Sequence, residues 1–173
     1  MEKIFYAERS AYPNSKTALE KILRDFYDIP APVFFHSKTG KPYLTENFGV
    51  YFSISHTNER LFIAVSDAEV GIDAERQNRS VDYQSILKKF PLKEREEIRN
   101  ERDFIKRWTI KESAVKYLGG TLTKDLAKLC FSNNKLFFEE KELPVFITQT
   151  CLVGHFVCIC AERDFANAEF IEI

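Results

Sequence analysis

The spacing of apolar residues divides the chain into alternating strand-like and helix-like segments. The N-terminal run "KIFYAER" predicts a strand. The next stretch, "NSKTALEKILRDFYDIP", predicts a helix, because its apolar residues recur at intervals of three or four. Asn14 or Ser15 can cap the start of this helix, which we expect to end before Pro30. The apolar positions are Leu19, Ile22, Leu23 and Phe26.

The next segments have strand-like patterns. "SKTGKPYL" predicts a turn, because Gly, Lys and Pro cluster between apolar segments. "VYFSISH" and "LFIAVSD", joined by "TNER", predict an antiparallel hairpin, and "EVGIDAE" predicts a further strand.

Residues 81–118 then have a helical pattern, which Pro91 interrupts, so we expect at least two helices. The remaining segments, "KLCFSNNKLFFEE" and "VFITQTCLVGHFVCICA", alternate and contain Asn-Asn and Gly turn signals, which favours antiparallel sheet. The apolar stripe of the helical region is Ile86, Leu87, Phe90, Ile98, Phe104, Ile105, Trp108, Val115 and Leu118.

This element order predicts an α+β fold of two similar lobes that meet near Ala68. Each lobe has helices packed on an antiparallel sheet, so that the chain is a pseudo-dimer. We expect residues 1–68 to form the N-terminal lobe and residues 69–173 the C-terminal lobe. No sequence repeat is visible, so this expectation rests on the order of elements alone.

Composition narrows the functional class. The 173 residues are 45% hydrophobic, with a net charge of −1, which argues against a general nucleic-acid binder. No apolar run approaches a membrane span, and "MEKIFYAERS" lacks a signal-peptide core. We expect a cytoplasmic protein whose cysteines are reduced core residues, since Cys158 and Cys160 alternate in a buried strand pattern. The cysteines are Cys130, Cys151, Cys158 and Cys160.

The strand "VGIDAE" contains two carboxylates, Asp73 and Glu75, which project to the same side because they are two residues apart. Gly71 before them permits close approach of another chain or a ligand. Convergent carboxylates repel and favour a cation such as Mg²⁺, which prefers oxygen ligands. The alternative is a strand end whose acids reach solvent or pair with Arg76.

The segment "FIKRWTIKESAVKYLG" predicts one helix, on which Glu112 and Lys116 share a face. On its own this pair is an ordinary ion pair of a helix surface. If Glu112 turned toward Asp73 and Glu75, it would be a third oxygen ligand, and Lys116 would lie one turn further, near a phosphate.

The third polar group is "FSISHT", in which Ser53, Ser55 and Thr57 alternate with Ile54 and His56. A serine-nucleophile triad is disfavoured, because no G-x-S-x-G elbow surrounds the serine. Hydrogen bonding to a phosphate at the strand end fits better. The chain has no G-x-x-x-x-G-K-[ST] loop, which disfavours other phosphotransferases of that type.

Taken together, "GKPYL", "FSISHT", "VGIDAE", "FPLKE" and "RWTIKESAVKYLG" resemble the 4′-phosphopantetheinyl transferases. The resemblance is to the surfactin-synthetase activators rather than to the shorter trimeric holo-acyl-carrier-protein synthases. It implies a pseudo-dimer that binds coenzyme A in its cleft, transfers the phosphopantetheine arm to a serine of a carrier protein and releases 3′,5′-ADP. The chain departs from the family in having Ser53 where Asn is usual, and in a short N-terminal lobe.

The resemblance also implies roles for individual residues. Glu112 is the expected general base, directly or through water, Lys116 stabilises charge on the departing phosphate and is a candidate general acid, and His56 contacts the same phosphates. Glu94 falls where a second acidic residue lies near the metal. The implied Mg²⁺ ligands are Asp73, Glu75 and Glu112. The implied coenzyme A contacts are Lys16, Thr17, Lys41, Ser55, His56 and Lys116.

Two further expectations concern partners. We expect a monomer, because two lobes in one chain already build the cleft. The basic stretch after the metal strand is expected to meet an acidic carrier protein, unless it is only a solvated charged face. The alternative function is a non-catalytic module that binds carrier proteins or nucleotides in the same cleft. The docking residues would be Lys88, Lys89 and Lys93, with Phe90 or Leu92 as an apolar contact.

Overall fold

The structure, a computed structural model, describes residues 2–173. The strands, in chain order, are β1 Lys3–Glu8, β2 Phe34–His36, β3 Pro42–Leu44, β4 Tyr51–His56, β5 Arg60–Ser66, β6 Val70–Arg76, β7 Leu129–Ser132, β8 Lys135–Phe138, β9 Lys141–Glu142, β10 Phe146–Leu152, β11 His155–Ala161 and β12 Glu169–Glu172. The helices are α1 Ser15–Tyr27, α2 Tyr83–Leu87, α3 Leu92–Glu97, α4 Glu101–Tyr117 and α5 Leu122–Asp125.

The first sheet has the strand order β12-β1-β5-β4, antiparallel except that β12 runs parallel to β1. Helix α1 packs on one face of it. The Asn14 side chain caps this helix by accepting the Thr17 N–H, and Asp28 ends it in a left-handed conformation. The buried residues of this layer include Phe5, Leu19, Ile22, Leu23 and Ile63.

The second sheet has the antiparallel order β10-β11-β6, and its apolar face packs on the apolar face of the first sheet. Helix α4 covers its other face, and Asn100 caps that helix by accepting the Asp103 N–H. Strand β11 is buried at every position, because one face meets the first sheet and the other meets α4. The core between the two sheets includes Ile4, Phe62, Ile72, Val157, Ile159 and Phe165.

The layered arrangement explains the alternation in β6. Val70, Ile72 and Ala74 point into the core between the sheets. The alternate residues of the strand, including Asp73 and Glu75, therefore lie on the face toward α4. The register pairs Asp73 with Cys158 of β11, so the first carboxylate lies halfway along β6, which is an edge strand of this sheet.

The α+β class and most predicted elements are confirmed, including the capped first helix, the β4–β5 hairpin and the helical break at Pro91. The predicted turn "SKTGKPYL" is the loop of the β2–β3 hairpin, with its last three residues in β3. The last strand, β12, has no strong sequence signal, and it pairs with β1 in the first sheet. No helix among residues 2–173 combines the length and apolarity needed to cross a membrane.

The four cysteines are free thiols. Cys158 and Cys160 are buried as expected, on the β11 face that meets α4, and burial raises the pKa of both thiols. The expectation that all four are core residues is wrong for Cys151, which is exposed because β10 is an edge strand with one solvent-facing side.

Candidate active site

The structure brings the three predicted metal-binding carboxylates together. Asp73 and Glu75 project from β6, and Glu112 projects from α4. One oxygen atom from each of the three residues lies within 4.8 Å of the other two. Asp73 is only 4% exposed, and the other two side chains are partly buried. An all-oxygen set at this spacing suits a hard divalent cation such as Mg²⁺.

Gly71 explains why α4 approaches β6 closely enough to form this cluster. A Cβ atom at this position would lie 2.0 Å from the Ser113 carbonyl oxygen and 2.4 Å from the Tyr117 backbone nitrogen. The backbone of α4 therefore rests directly on the strand. Since Gly71 and Asp73 share a strand face, the same contact places Glu112 opposite the carboxylates.

The two oxygens of Asp73 have different surroundings. Its Oδ1 accepts hydrogen bonds from Ser55 Oγ at 3.0 Å and from Lys116 Nζ at 2.7 Å. Its Oδ2 is buried but accepts no hydrogen bond from any residue in the range 2–173. A buried carboxylate oxygen without a donor is costly. This oxygen is therefore suited to bind a cation.

The charge balance of the cluster affects Glu112 most. Burial, followed by the negative charge of Asp73, raises the pKa of Glu112 to about 7, against the opposing effect of Lys116. Glu75 adds to the rise, although Arg79 forms an ion pair with it. At neutral pH the cluster therefore binds either a cation or a proton more favourably than isolated carboxylates do.

Lys116 lies one turn beyond Glu112, as the spacing predicted, and its side chain is 30% exposed while it contacts Asp73. His56, at the end of β4, is exposed, and its ring has no hydrogen-bond partner in the described part of the chain. Both side chains can therefore bind an incoming anion, Lys116 beside the carboxylates and His56 from the adjacent strand.

Lys41 lies at the contact between the β2–β3 hairpin and the end of α4. A cavity of about 250 Å³ there is lined by both Lys41 and Lys116. The Lys41 Nζ atom binds Glu69 Oε2 at 2.6 Å and the carbonyl oxygens of Val70 and Tyr117 at 3.2 and 3.4 Å. Lys41 would have to exchange one of these acceptors to contact a phosphate.

The remaining predicted ligand contacts lie on α1 and β4. Lys16 lines a second cavity, of about 450 Å³, between α1 and the β2–β3 hairpin, with His36 also on its wall. Thr17 is exposed at the start of α1, where its backbone N–H and hydroxyl both bind Asn14 Oδ1. Ser55 is buried between the sheets, and its hydroxyl already contacts Asp73.

The structure does not bring Glu94 into the carboxylate cluster. Its side chain is fully buried and pairs with Lys111, with 2.7 Å between Lys111 Nζ and Glu94 Oε2. Its Oε1 accepts the Phe131 N–H at 3.1 Å. The lysine also donates to the carbonyl oxygens of Leu126 and Leu129. This buried pair thus joins α3 and α4 to the segment that leads into β7.

The burial of Lys111 was missed in the sequence, although a signal was present. Lys111 follows Phe104 by seven residues and Trp108 by three, so it lies on the apolar stripe of α4. Burial lowers the pKa of its ammonium group, and Glu94 opposes this effect. A lysine on an apolar stripe therefore indicated a buried ion pair.

The predicted docking stretch is partly exposed. Lys88, Lys89 and Trp108 line a groove of about 650 Å³. Phe90 is only 1% exposed and stacks on Trp108, so it cannot serve as a surface contact. Leu92 is 68% exposed and remains the apolar residue available to a partner.

Comparison with known proteins agrees with this geometry. A family model of the 4′-phosphopantetheinyl transferase superfamily matches residues 69–151, which include the three carboxylates and Lys116. The chain is 27% identical over 154 residues to the 4′-phosphopantetheinyl transferase gsp of Aneurinibacillus migulanus, covering 82% of this chain and 64% of that protein.

Two other similar proteins carry the same description. The chain is 25% identical to the 4′-phosphopantetheinyl transferase psf-1 of Bacillus pumilus, covering 90% of this chain and 72% of psf-1. It is 31% identical to the 4′-phosphopantetheinyl transferase AcpT of Salmonella typhi over 100 residues, covering 53% of this chain and 52% of AcpT. The chain spans slightly less than two thirds of the length of gsp.

Proposed function

We propose that the chain belongs to the 4′-phosphopantetheinyl transferase superfamily, whose family model matches residues 69–151, and that it transfers the phosphopantetheine arm of coenzyme A to a carrier protein. The acceptor is a serine hydroxyl of an apo acyl or peptidyl carrier protein, and the other product is 3′,5′-ADP. The observation that carries this proposal is the convergence of Asp73, Glu75 and Glu112 beside Lys116.

We propose Mg²⁺ as the cation of the carboxylate cluster. The three oxygen donors and the unpaired Oδ2 of Asp73 fit a hard divalent ion. Asp73, Glu75 and Glu112 would hold it. When bound, Mg²⁺ neutralises negative charge on the pyrophosphate of coenzyme A.

The reacting bonds determine what the protein side chains must do. The serine oxygen forms a bond to the phosphorus that carries the pantetheine arm, and the bond from this phosphorus to the bridging oxygen of 3′,5′-ADP breaks. Glu112 accepts the serine proton, directly or through a water molecule. Lys116 and His56 stabilise the charge on the phosphates.

The nucleotide part of coenzyme A is proposed to lie along the cavities of the first lobe. Lys16 provides a positive charge on the wall of the larger cavity, and Thr17 lies beside it at the start of α1. Lys41 lines the cavity that also contains Lys116. These positions place positive charge on either side of the β2–β3 hairpin, where an elongated anionic ligand can bind.

A mass measurement tests the proposal directly. Apo carrier protein is incubated with coenzyme A, Mg²⁺ and the enzyme, and we expect its mass to increase by one phosphopantetheine arm. Asp73→Ala and Glu112→Ala should abolish the transfer, whereas Glu96→Ala, at an exposed position of α3, should not. Circular dichroism checks that each variant is folded.

Near-normal transfer by either carboxylate variant would contradict the metal assignment. An unmodified carrier in every reaction, together with binding of the carrier or of coenzyme A, would instead favour the non-catalytic module. A binding module has no need of three convergent carboxylates, so we favour the enzyme.

The proposed assembly is a monomer, because both lobes that form the cleft belong to one chain. Sedimentation velocity should give a single species of about the chain mass, 20.2 kDa. An obligate trimer would contradict this proposal. The division into lobes at Ala68 and the cytoplasmic location stay predictions.

A further inference from the structure

Two serine side chains connect the sheets of the two lobes. Strands β4 and β6 are the edges of their own sheets and lie side by side. Ser53 Oγ accepts the Ile72 N–H at 3.0 Å, and Ser55 Oγ accepts the Ala74 N–H at 3.1 Å. Both serines are buried, with 6% and 5% exposure. Their hydroxyls thus satisfy backbone groups that a neighbouring strand satisfies inside a sheet.

Ser55 makes one contact that Ser53 does not. Its hydroxyl also donates to Asp73 Oδ1 at 3.0 Å. A serine hydroxyl has a single proton, so while Ser55 binds Asp73 it has no proton left to donate to a phosphate. This differs from the role in phosphate binding that the sequence suggested for it.

The contact determines which oxygen of Asp73 is free. Ser55 from β4 and Lys116 from α4 both donate to Oδ1. The carboxylate group is therefore held from two elements, and Oδ2 is the atom without a donor. Rotation of the carboxylate would break both hydrogen bonds at once.

We propose that Ser55 is a positioning residue for the metal ligand Asp73. It holds the carboxylate so that Oδ2 is presented to the cation, and it links the orientation of this ligand to the packing of β4 on β6. The inference rests on the proposed metal-dependent function. Groups that hydrogen bond to metal ligands typically contribute about 10- to 100-fold to metal affinity or activity.

The experiment measures Mn²⁺ affinity of the whole chain by electron paramagnetic resonance, which reports free Mn²⁺ without any transfer reaction. Ser55→Ala should weaken Mn²⁺ binding by about 10- to 100-fold. Ser53→Ala is the matched control, since it also removes one buried acceptor from a backbone N–H of β6 but does not contact Asp73. We expect it to bind Mn²⁺ within about twofold of wild type, because the ligand keeps both of its hydrogen bonds.

A conservative variant separates the hydroxyl from the space it fills. Ser55→Thr keeps the donor, and we expect it to restore most of the affinity lost in Ser55→Ala. If Ser55→Ala does not fold, Ser55→Cys replaces it, because a thiol occupies a similar position but is a weak donor. The cysteine variant should also bind Mn²⁺ more weakly than wild type.

Three results would overturn the inference. Wild-type affinity in the alanine variant, or in the cysteine variant where that replaces it, would show that Ser55 does not orient Asp73. An equal loss in Ser53→Ala would show that only the packing of the two sheets matters. If the wild-type protein itself bound no Mn²⁺, the proposed metal site would be wrong, and the role of Ser55 with it.

Discussion

Replacing Glu112 by Gln tests the electrostatics of the carboxylate cluster without a substrate. In metal-free buffer Glu112 is crowded by Asp73 and Glu75 and is largely removed from water, so its ionised form is unfavourable in the folded state. The amide has nearly the same shape and no charge. The substitution should therefore stabilise the metal-free protein wherever wild-type Glu112 is ionised.

The pKa of Glu112 sets the sign and the size of this effect. The pKa rises from 4.5, the ordinary value that applies to the unfolded chain, to about 7 in the folded protein. Between these values the folded state binds more protons than the unfolded state, so stability from this group is present at low pH and is lost as the pH rises through 7. Each pKa unit corresponds to about 1.4 kcal/mol, so the loss is at most about 3 kcal/mol.

Urea unfolding in the presence of a chelator measures this contribution. At pH 8 we expect Glu112→Gln to be more stable than wild type by up to about 3 kcal/mol. At pH 5 most of the difference should vanish, because wild-type Glu112 is then protonated in the folded state. Glu96→Gln, at an exposed position, should leave stability unchanged at both values.

Added Mg²⁺ should reverse the order of stability at pH 8, since a ligand that binds only the folded state stabilises it by mass action. Because Glu112→Gln has lost one metal ligand, Mg²⁺ should stabilise it less than it stabilises the wild type. Two results would refute the argument that charge crowding raises the pKa of Glu112. One is a difference in unfolding free energy between variant and wild type that is equal at pH 5 and pH 8. The other is a variant that is less stable than wild type in chelator at pH 8.

Three further experiments test separate features. Gly71→Ala should lower the melting temperature and abolish transfer, because its Cβ atom would overlap the backbone of α4; a wild-type melting curve would contradict the close contact. Lys111→Met should lower the free energy of unfolding in urea by up to about 3 kcal/mol, because it removes the cation at Glu94 Oε2 and leaves only Arg107, which lies 3.4 Å from Oε1. The double variant that also has Glu94→Gln should recover most of this loss, and no recovery would argue against the ion pair as its cause. Reversing Lys88 and Lys89 to Glu should raise the KM for the carrier protein at low salt and leave that for coenzyme A unchanged; an equal effect on both would place the docking surface elsewhere.

Local pattern in the sequence determined most of the elements. Helix α1 was predictable from its apolar spacing and its Asn14 cap, and β6 from its short run between turns. The same periodicities showed that Asp73 and Glu75 share a strand face and that Glu112 and Lys116 share a helix face. Each of these relations lies within a single strand or helix, where side-chain direction repeats with the backbone, so the local sequence is sufficient to predict it.

Pairing between distant segments was decided only by the tertiary structure. The sequence could not show whether Glu112 faces solvent or β6. The contact at Gly71 settles this, since it lets the helix backbone touch the strand. The pairing of β12 with β1 joins residues at opposite ends of the chain, such as Lys3 and Glu169, and no local pattern records such a contact.

The buried polar contacts depend on the fold for the same reason. A serine or glutamate in a pattern indicates polarity but does not identify its partner. Glu94 meets Lys111 rather than the carboxylate cluster, and Ser55 donates to Asp73 across the junction of the two sheets. When the layers pack, these side chains lose contact with water. Each buried polar atom must then form a hydrogen bond or ion pair with a neighbouring group, and that neighbour determines its role.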